Sequence, residues 1–399
     1  MPEPCKVRAP LRLLFIDDEP NVLAALRRML YPERDMWSAK FAGGGAEALD
    51  LLAREAFDVV VSDMRMPGMD GAEVLSQVRD LDPGVVRIVL SGQTDQRSAL
   101  RAANVAHQFL TKPTDPASLK AAVNRGQELA DRLAAPRLRA VLGRLDRLPS
   151  ASATLHRLNA ALEDPAANVA NVAGIVEKDL GLCAKLLQVV NSGFFGLPGE
   201  VCSVHEAVSH LGLQNVRALA TSAESFQSWG AGEEIEEIAS ELQSHSMAAV
   251  QLARYVLPCA RRPGDLFLGA LLHDIGVLAT ALLARQEPPS PSTVDAVQLP
   301  ESERGALGAI HADIGAYLVC LWGLPYGAVE VVSRHHDPEL PVAGSFTEAQ
   351  AVFVAEALVS EVRELPGHQP RHVTLDQLGL GSPAQLDDWR RYRDTLVRG

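Results

Sequence analysis

Between residues 11 and about 130, five short apolar runs (LRLLFI, MWSAKF, FDVVVS, VRIVLS and HQFLT) alternate with helix-like segments that begin near Pro20, Gly45, Asp70, Asp95 and Asp115. Strands joined through helices return in the same direction, so this alternation predicts a parallel sheet covered on both faces. Ligands of such open sheets bind beyond the carboxyl ends of the strands. The polar residues fall there: Asp17 and Asp18 after the first run, Asp63 after the third, Ser91 at the end of the fourth, and Lys112 with Pro113 after the fifth. Three carboxylates brought together repel one another unless a divalent cation sits between them, and an all-oxygen set suits Mg²⁺. Lys112 is then placed to hold a phosphoryl oxygen. Gly43, Gly44 and Gly45 follow the second run without a Lys-Ser/Thr pair, so they read as a helix start and not as a phosphate loop.

Beyond residue 150 the alternating pattern disappears. Ala- and Leu-rich helical periods take over, broken by loops such as NSGFFGLPGE and QEPPSPST, and the second part is expected to be nearly all α. Between the two parts a helix is expected from Ala117 to Ala135, with small or apolar residues at Leu119, Ala122, Gly126, Leu129 and Leu133. A second stripe follows Pro136, at Leu138, Val141, Leu145 and Leu148. It reads either as a signalling helix with a homodimer seam or as a connector packed on its neighbours. The expected organisation is a tail over 1–10, a sheet domain over 11–130, a helical linker over 131–148, a helical domain over 149–365 and a helical extension over 366–399.

The chain has 399 residues and a net charge of -13, from 37 Lys and Arg against 50 Asp and Glu. That balance opposes attraction to DNA or to an anionic membrane. Cys5, Cys183, Cys202, Cys259 and Cys320 form no Cys-x-x-Cys pair, so neither a disulfide framework nor a thiolate zinc site is indicated. The start MPEPCKVRAP has no apolar run of a signal peptide, and a reducing cytoplasm is the expected setting. Leu266 to Ala284 is apolar enough to resemble a short membrane span. His273 and Asp274 at its centre would be costly in lipid, so a buried helix carrying a site is the better reading.

Of the eleven histidines, five fall between residues 241 and 336: His245, His273, His311, His335 and His336. Glu241 and His245 are spaced to share one helix face, while His273-Asp274 and His335-His336 are adjacent pairs within helical patterns. Imidazole and carboxylate together suit Zn, Fe or Mn, and more than four such groups suggest two or more ions. The opposing reading is an apolar core in which these histidines are satisfied by hydrogen bonds. The acidic EEIEEIASE stretch near 233–241 reads as a solvated helix start. Trp322, Pro325 and Tyr326 read as packing at the helix end after His311, and Phe194 and Phe195 as buried aromatics in a turn.

The motifs FIDDEP, SDMRMPGMDG, LSG and FLTKP, in that order, resemble the response-regulator receiver family. The resemblance implies a flavodoxin-like strand order 2-1-3-4-5 and a histidine kinase as phosphodonor to Asp63. It further implies Mg²⁺ held by Asp18 and Asp63 with Asp17 beside them and the Arg65 backbone carbonyl, Ser91 bonding the new phosphoryl group, and Phe109 at an aromatic switch position. The segments DLGLCAKLLQVVNSGFFG, EAVSHLGLQNVRAL, LLHDIG, HADIGAYLVCLWGLP and SRHH resemble the HDOD domain, a relative of the HD phosphohydrolases, with an HD-like part at about 235–360. This implies a regulatory interaction module with a protein partner. Against the HD-GYP relatives that hydrolyse cyclic di-GMP, Glu241, His245, His273, Asp274, His311, His335 and His336 stand as counterparts of metal ligands, and Glu356 stands where those enzymes carry an aspartate. HHDPELPVAG replaces the Gly-Tyr-Pro signature, and Val277 occupies the place of a phosphate-binding lysine. Two functions therefore stand open: a receiver-controlled interaction module, and a phospho-gated, metal-dependent phosphodiesterase or binder of cyclic dinucleotides.

Overall fold

The computed structural model describes residues 10–92, 105–132, 142, 152–191, 195, 197, 201, 203–221, 233–286, 310–322, 324–336, 346–362 and 381–397. The chain forms two compact units, one built on a sheet and one on helices. The sheet contains β1 (Leu11–Ile16), β2 (Trp37–Ala42), β3 (Val59–Asp63), β4 (Val86–Ser91) and β5 (Gln108–Thr111). Its order is β2-β1-β3-β4-β5, and every pairing is parallel, with Phe15 opposite Phe41 and Val61 opposite Ile88. This is the expected order. The central strand β3 is near-continuously apolar because both of its faces are covered: every one of its residues is buried.

Helices α1 (Pro20–Leu30), α2 (Gly45–Leu52), α3 (Gly71–Leu81) and α4 (Pro116–Arg132) connect and follow the strands. Pro20 starts α1 at a position where its missing N–H is not needed. Asp70 and Glu73 form a reciprocal capping box on α3. Gly71 follows because a Cβ there would stand 2.1 Å from the Asp63 carbonyl oxygen. The start of α3 is thereby pressed directly against the carboxyl end of β3. The expected helix near Asp95 and the Leu138 to Leu148 stripe lie outside the described residues.

The second unit consists of α5 (Ser152–Glu163), α6 (Val169–Val176), α7 (Leu180–Val190), α8 (Val204–Thr221), α9 (Glu233–Val256), α10 (Pro263–Leu272), α11 (Ile275–Gln286), α12 (His311–Leu321), α13 (Tyr326–Arg334), α14 (Glu348–Ser360) and α15 (Pro383–Val397). Side chains cap the starts: Asn168 for α6, Asp179 for α7, and a Thr347/Gln350 box for α14. Every residue of α7 is buried, as befits a helix that is apolar around its whole circumference. α8 packs on α6 and α7, while α10 packs on α9 and α13, α12 on α11 and α13, and α14 on α9. The apolar stretch Pro263–Ala281 has the length and composition of a membrane span, but 89% of it is buried inside the protein.

Two local expectations change. His273 and Asp274 do not lie within one helix but form the junction between α10 and α11, and His335 and His336 follow the last residue of α13. Tyr326, expected to pack, is 54% exposed, whereas Trp322 is buried. Loop residues Ser192 to Phe194 and the segment after His336 lie outside the described residues.

Candidate functional sites

At the carboxyl end of the sheet, Asp17 follows β1, Asp63 closes β3 and Lys112 follows β5. Lys112 Nζ stands 2.7 Å from Asp17 Oδ2 and 2.5 Å from Asp63 Oδ1, bridging the two carboxylates. The second oxygen of each accepts a backbone N–H: Glu19 to Asp17 and Arg65 to Asp63, both at 2.9 Å. Partial burial alone would depress the Lys112 pKa, but hydrogen bonds to and charges on Asp17 and Asp63 outweigh it and raise the value. Asp18 is exposed beside the pair, and Phe109 packs partly buried against the core under β5. Ser91 ends β4, opposite Thr111; its side chain lies outside the described residues. Three carboxylates against one lysine leave two negative charges, and the donors are all oxygen. That set fits a divalent cation such as Mg²⁺.

The second site surrounds Asp274, which is buried to 1% exposure. Its Oδ2 lies 3.2 Å from His273 Nε2 and 3.7 Å from His245 Nε2, and its Oδ1 lies 3.4 Å from His335 Nε2 and 3.6 Å from His311 Nε2. Neither oxygen has a hydrogen-bond partner. Glu356, on α14, brings Oε2 to His245 Nε2 and to His273 Nε2, the latter at 3.0 Å, while Ser360 donates to its Oε1 at 2.7 Å. His336 Nε2 meets His311 Nε2 at 2.6 Å.

Tautomers sharpen the chemistry. His273 Nδ1 is 2.8 Å from the Ala270 carbonyl, and His335 Nδ1 is 2.6 Å from the Val332 carbonyl. A carbonyl only accepts, so each Nδ1 carries the proton, and a neutral ring would then turn its Nε2 lone pair toward the lone pairs of Asp274. Such an arrangement needs a cation or a proton. In the metal-free protein, burial opposes charge on His273, but the nearby Asp274 and Glu356 carboxylates outweigh it and raise its pKa well above the ordinary value. Burial likewise opposes ionisation of Asp274, but His273 and His335 outweigh it and hold the carboxyl well below the usual range. Burial lowers the His335 pKa.

Two sets of four ligand atoms share Asp274: His245, His273, Asp274 and Glu356 in one, and Asp274, His311, His335 and His336 in the other, each set within 4.8 Å. Nitrogen and carboxylate donors with backbone-fixed tautomers suit transition-metal ions, so the residues fit two divalent cations. Glu241 joins neither set, although it lies one turn from His245 and its buried Oε2 has no hydrogen bond. Ser360 was not among the sequence-derived residues, and a serine one turn after Glu356 is the pattern that would have indicated it. Gly276 makes the cluster compact, since a Cβ there would stand 1.9 Å from the His311 carbonyl oxygen. Val277, beside it, is buried.

The description "response regulator receiver domain" matches residues 13–124, and "HDOD domain" matches residues 148–338. The transcriptional regulatory protein GlrR of Escherichia coli (strain K12) is 36% identical over 120 residues, 30% of this chain and 27% of GlrR. An uncharacterized protein of Treponema pallidum (strain Nichols) is 27% identical over 248 residues, 58% of this chain and 45% of that one. The chain thus spans less than half the length of these two relatives. Among solved structures, the signal receiver domain of an HD domain-containing protein from Pseudomonas fluorescens Pf-5 is 30% identical and covers 30% of this chain and 96% of that one, with a TM-score of 0.29. Taken with the parallel sheet of order β2-β1-β3-β4-β5 and the helical unit that follows it, the two domain matches over residues 13–124 and 148–338 make the chain a response regulator with an N-terminal receiver domain and a C-terminal HDOD domain.

Proposed function

We propose that Asp63 accepts a phosphoryl group from a histidine kinase and that its phosphorylation controls the HDOD domain, a cytoplasmic regulatory module that engages a protein partner or a second copy of the chain and holds metal around Asp274. The bridge from Lys112 Nζ to Asp17 and Asp63 is the observation that carries the phosphorylation reading. In that reaction an Asp63 oxygen forms a bond to phosphorus while the bond from phosphorus to the donor breaks. The chain needs to supply little beyond in-line placement and charge neutralisation. Lys112 offsets charge on the transferred oxygens, Ser91 receives one of them, and Asp17, Asp18 and Asp63 hold Mg²⁺, which offsets the remainder. The modification shifts a two-state receiver by favouring the state that satisfies the new charge.

The test is labelling by a small phosphodonor in Mg²⁺. Wild-type protein is expected to take one phosphoryl group per chain and Asp63→Asn none. Labelling of the variant at full stoichiometry would remove Asp63 from its role.

The two four-residue ligand sets that share Asp274 favour a second reading, a metal-dependent phosphodiesterase of cyclic dinucleotides gated by the receiver. Metal there would supply a Lewis acid and an activated water. Val277 weighs against it, because a buried apolar side chain gives a substrate phosphate no positive charge. Turnover of a cyclic dinucleotide by metal-loaded protein, absent in His273→Ala, would decide for this reading over the interaction module.

A further inference from the structure

Resting on the metal reading above, we infer that the two halves of the Asp274 cluster are unequal: the Glu356 half takes the first ion and holds it, with Ser360 as a positioning residue, and the His336 half takes a second, exchangeable ion. Charge separates the halves. His245, His273, Asp274 and Glu356 offer two carboxylates, enough to offset one divalent cation, whereas His311, His335 and His336 share only Asp274, whose charge the first ion already engages. A second ion therefore enters a half with less negative charge left to offset it, which weakens its binding.

Access separates them again. All four groups of the Glu356 half are buried, while His336 is half-buried and gives the other half its path to solvent. Exchange is faster at the half whose ligand reaches water.

Ser360 explains how a glutamate serves as a closed-site ligand. Its chain is one methylene longer than that of an aspartate, and the added torsion must be frozen to present a single oxygen. Ser360 lies one turn later on α14 and is itself buried. Its hydroxyl holds Glu356 Oε1, which leaves Oε2 facing His245 and His273. Both Glu356 and Ser360 lie beyond the residues matched to the HDOD domain, 148–338, so this half-site is assembled partly outside that match.

Metal-free full-length protein titrated with Mn²⁺, with the free ion read from its electron paramagnetic resonance, tests the inference; circular dichroism checks the fold of each variant. Wild type is expected to bind two ions in steps separated by about tenfold or more. Ser360→Ala is expected to weaken the first step by roughly 10- to 100-fold, and Ser360→Thr, which keeps the hydroxyl, to restore it. His336→Ala, at a half-buried position, is expected to lose the second step and keep the first. Two equal steps in wild type, loss of the tight step in His336→Ala, or equal weakening of both steps in Ser360→Ala would overturn the ordering while leaving the metal reading intact. No bound ion in wild type would overturn both.

Discussion

In the sheet unit Asp17 and Asp63 face a lysine, whereas in the helical unit Asp274 faces four imidazoles and, among the described residues, pairs with no lysine or arginine. The receiver pocket is rimmed by an exposed Asp18 and a Lys112 side chain that reaches solvent, so water and that lysine share the work of charge compensation. Asp274 is buried, and among the described residues it has no such lysine beside it. A buried carboxylate among imidazoles is costly unless a proton or a metal ion offsets its charge. The two pockets therefore differ in what balances them: in the first a lysine already meets both carboxylates, and in the second the charge of Asp274 is met by imidazoles, which balance it only when one is protonated or a cation is held.

The largest effect is expected at Asp274, where the comparison can be broken outright. Asp274→Asn removes the carboxylate common to both ligand sets and should reduce bound metal to background, read as ions per chain. In metal-free protein it also removes the nearest charge that favours protonated His273 and leaves Glu356 as its remaining carboxylate partner. The pH dependence follows from the two shifts. The raised His273 pKa contributes stability that is complete below its unfolded value of about 6.5 and is lost as pH rises through the higher folded value. The depressed Asp274 pKa contributes stability present above about 3.9 and lost as pH falls through the lower folded value. Denaturant unfolding of metal-free wild type should thus weaken toward alkaline pH, and the variant should lose most of that slope. A pH-independent wild type would mean that His273 is neutral and that Asp274 is balanced in some other way.

A smaller, more selective effect is expected from Gly276→Ala. The new methyl would meet the His311 carbonyl oxygen at 1.9 Å and the Gly315 nitrogen at 2.9 Å, and both are backbone atoms that no rotamer change can move aside. Separation of α11 from α12 should cost about 1–3 kcal/mol. Because α12 carries His311, the same shift should lower metal content at the His336 half before the Glu356 half. Equal loss from both would show that the halves move as one rigid cluster.

Much of this contrast was legible in the sequence, and the limits of its legibility are physical. Acids, hydroxyl and lysine at strand ends reveal the receiver pocket because an open parallel sheet sends every strand end to the same edge, so order along the chain becomes position in space. The helical unit lacks that rule. Periodicity reports neighbours on one helix, which singled out Glu241 as the partner of His245. The carboxylate that meets His245 is instead Glu356, 111 residues away in sequence, reached only because α9 packs on α14. Periodicity also read His273-Asp274 and His335-His336 as lying within helices, whereas both pairs fall at helix ends. Ser360 was missed because its one-turn spacing from Glu356 gains meaning only once Glu356 is known to be buried with a carboxylate oxygen to satisfy.

The smallest effect is expected at Lys112, and it tests the other side of the comparison. Lys112→Ala leaves Asp17 and Asp63 facing each other with one donated N–H each. Their repulsion is partly relieved by solvent at the pocket mouth, so the cost in Mg²⁺-free buffer should be only about 1 kcal/mol. Mg²⁺ takes over the lost lysine charge, so added Mg²⁺ should raise the melting temperature of the variant more than that of wild type, at ionic strength matched with potassium salt. An equal Mg²⁺ response in the two proteins would place the ion away from Asp17 and Asp63. It would also remove the contrast, because Lys112 would then no longer be the group that lets this pocket stand without a metal.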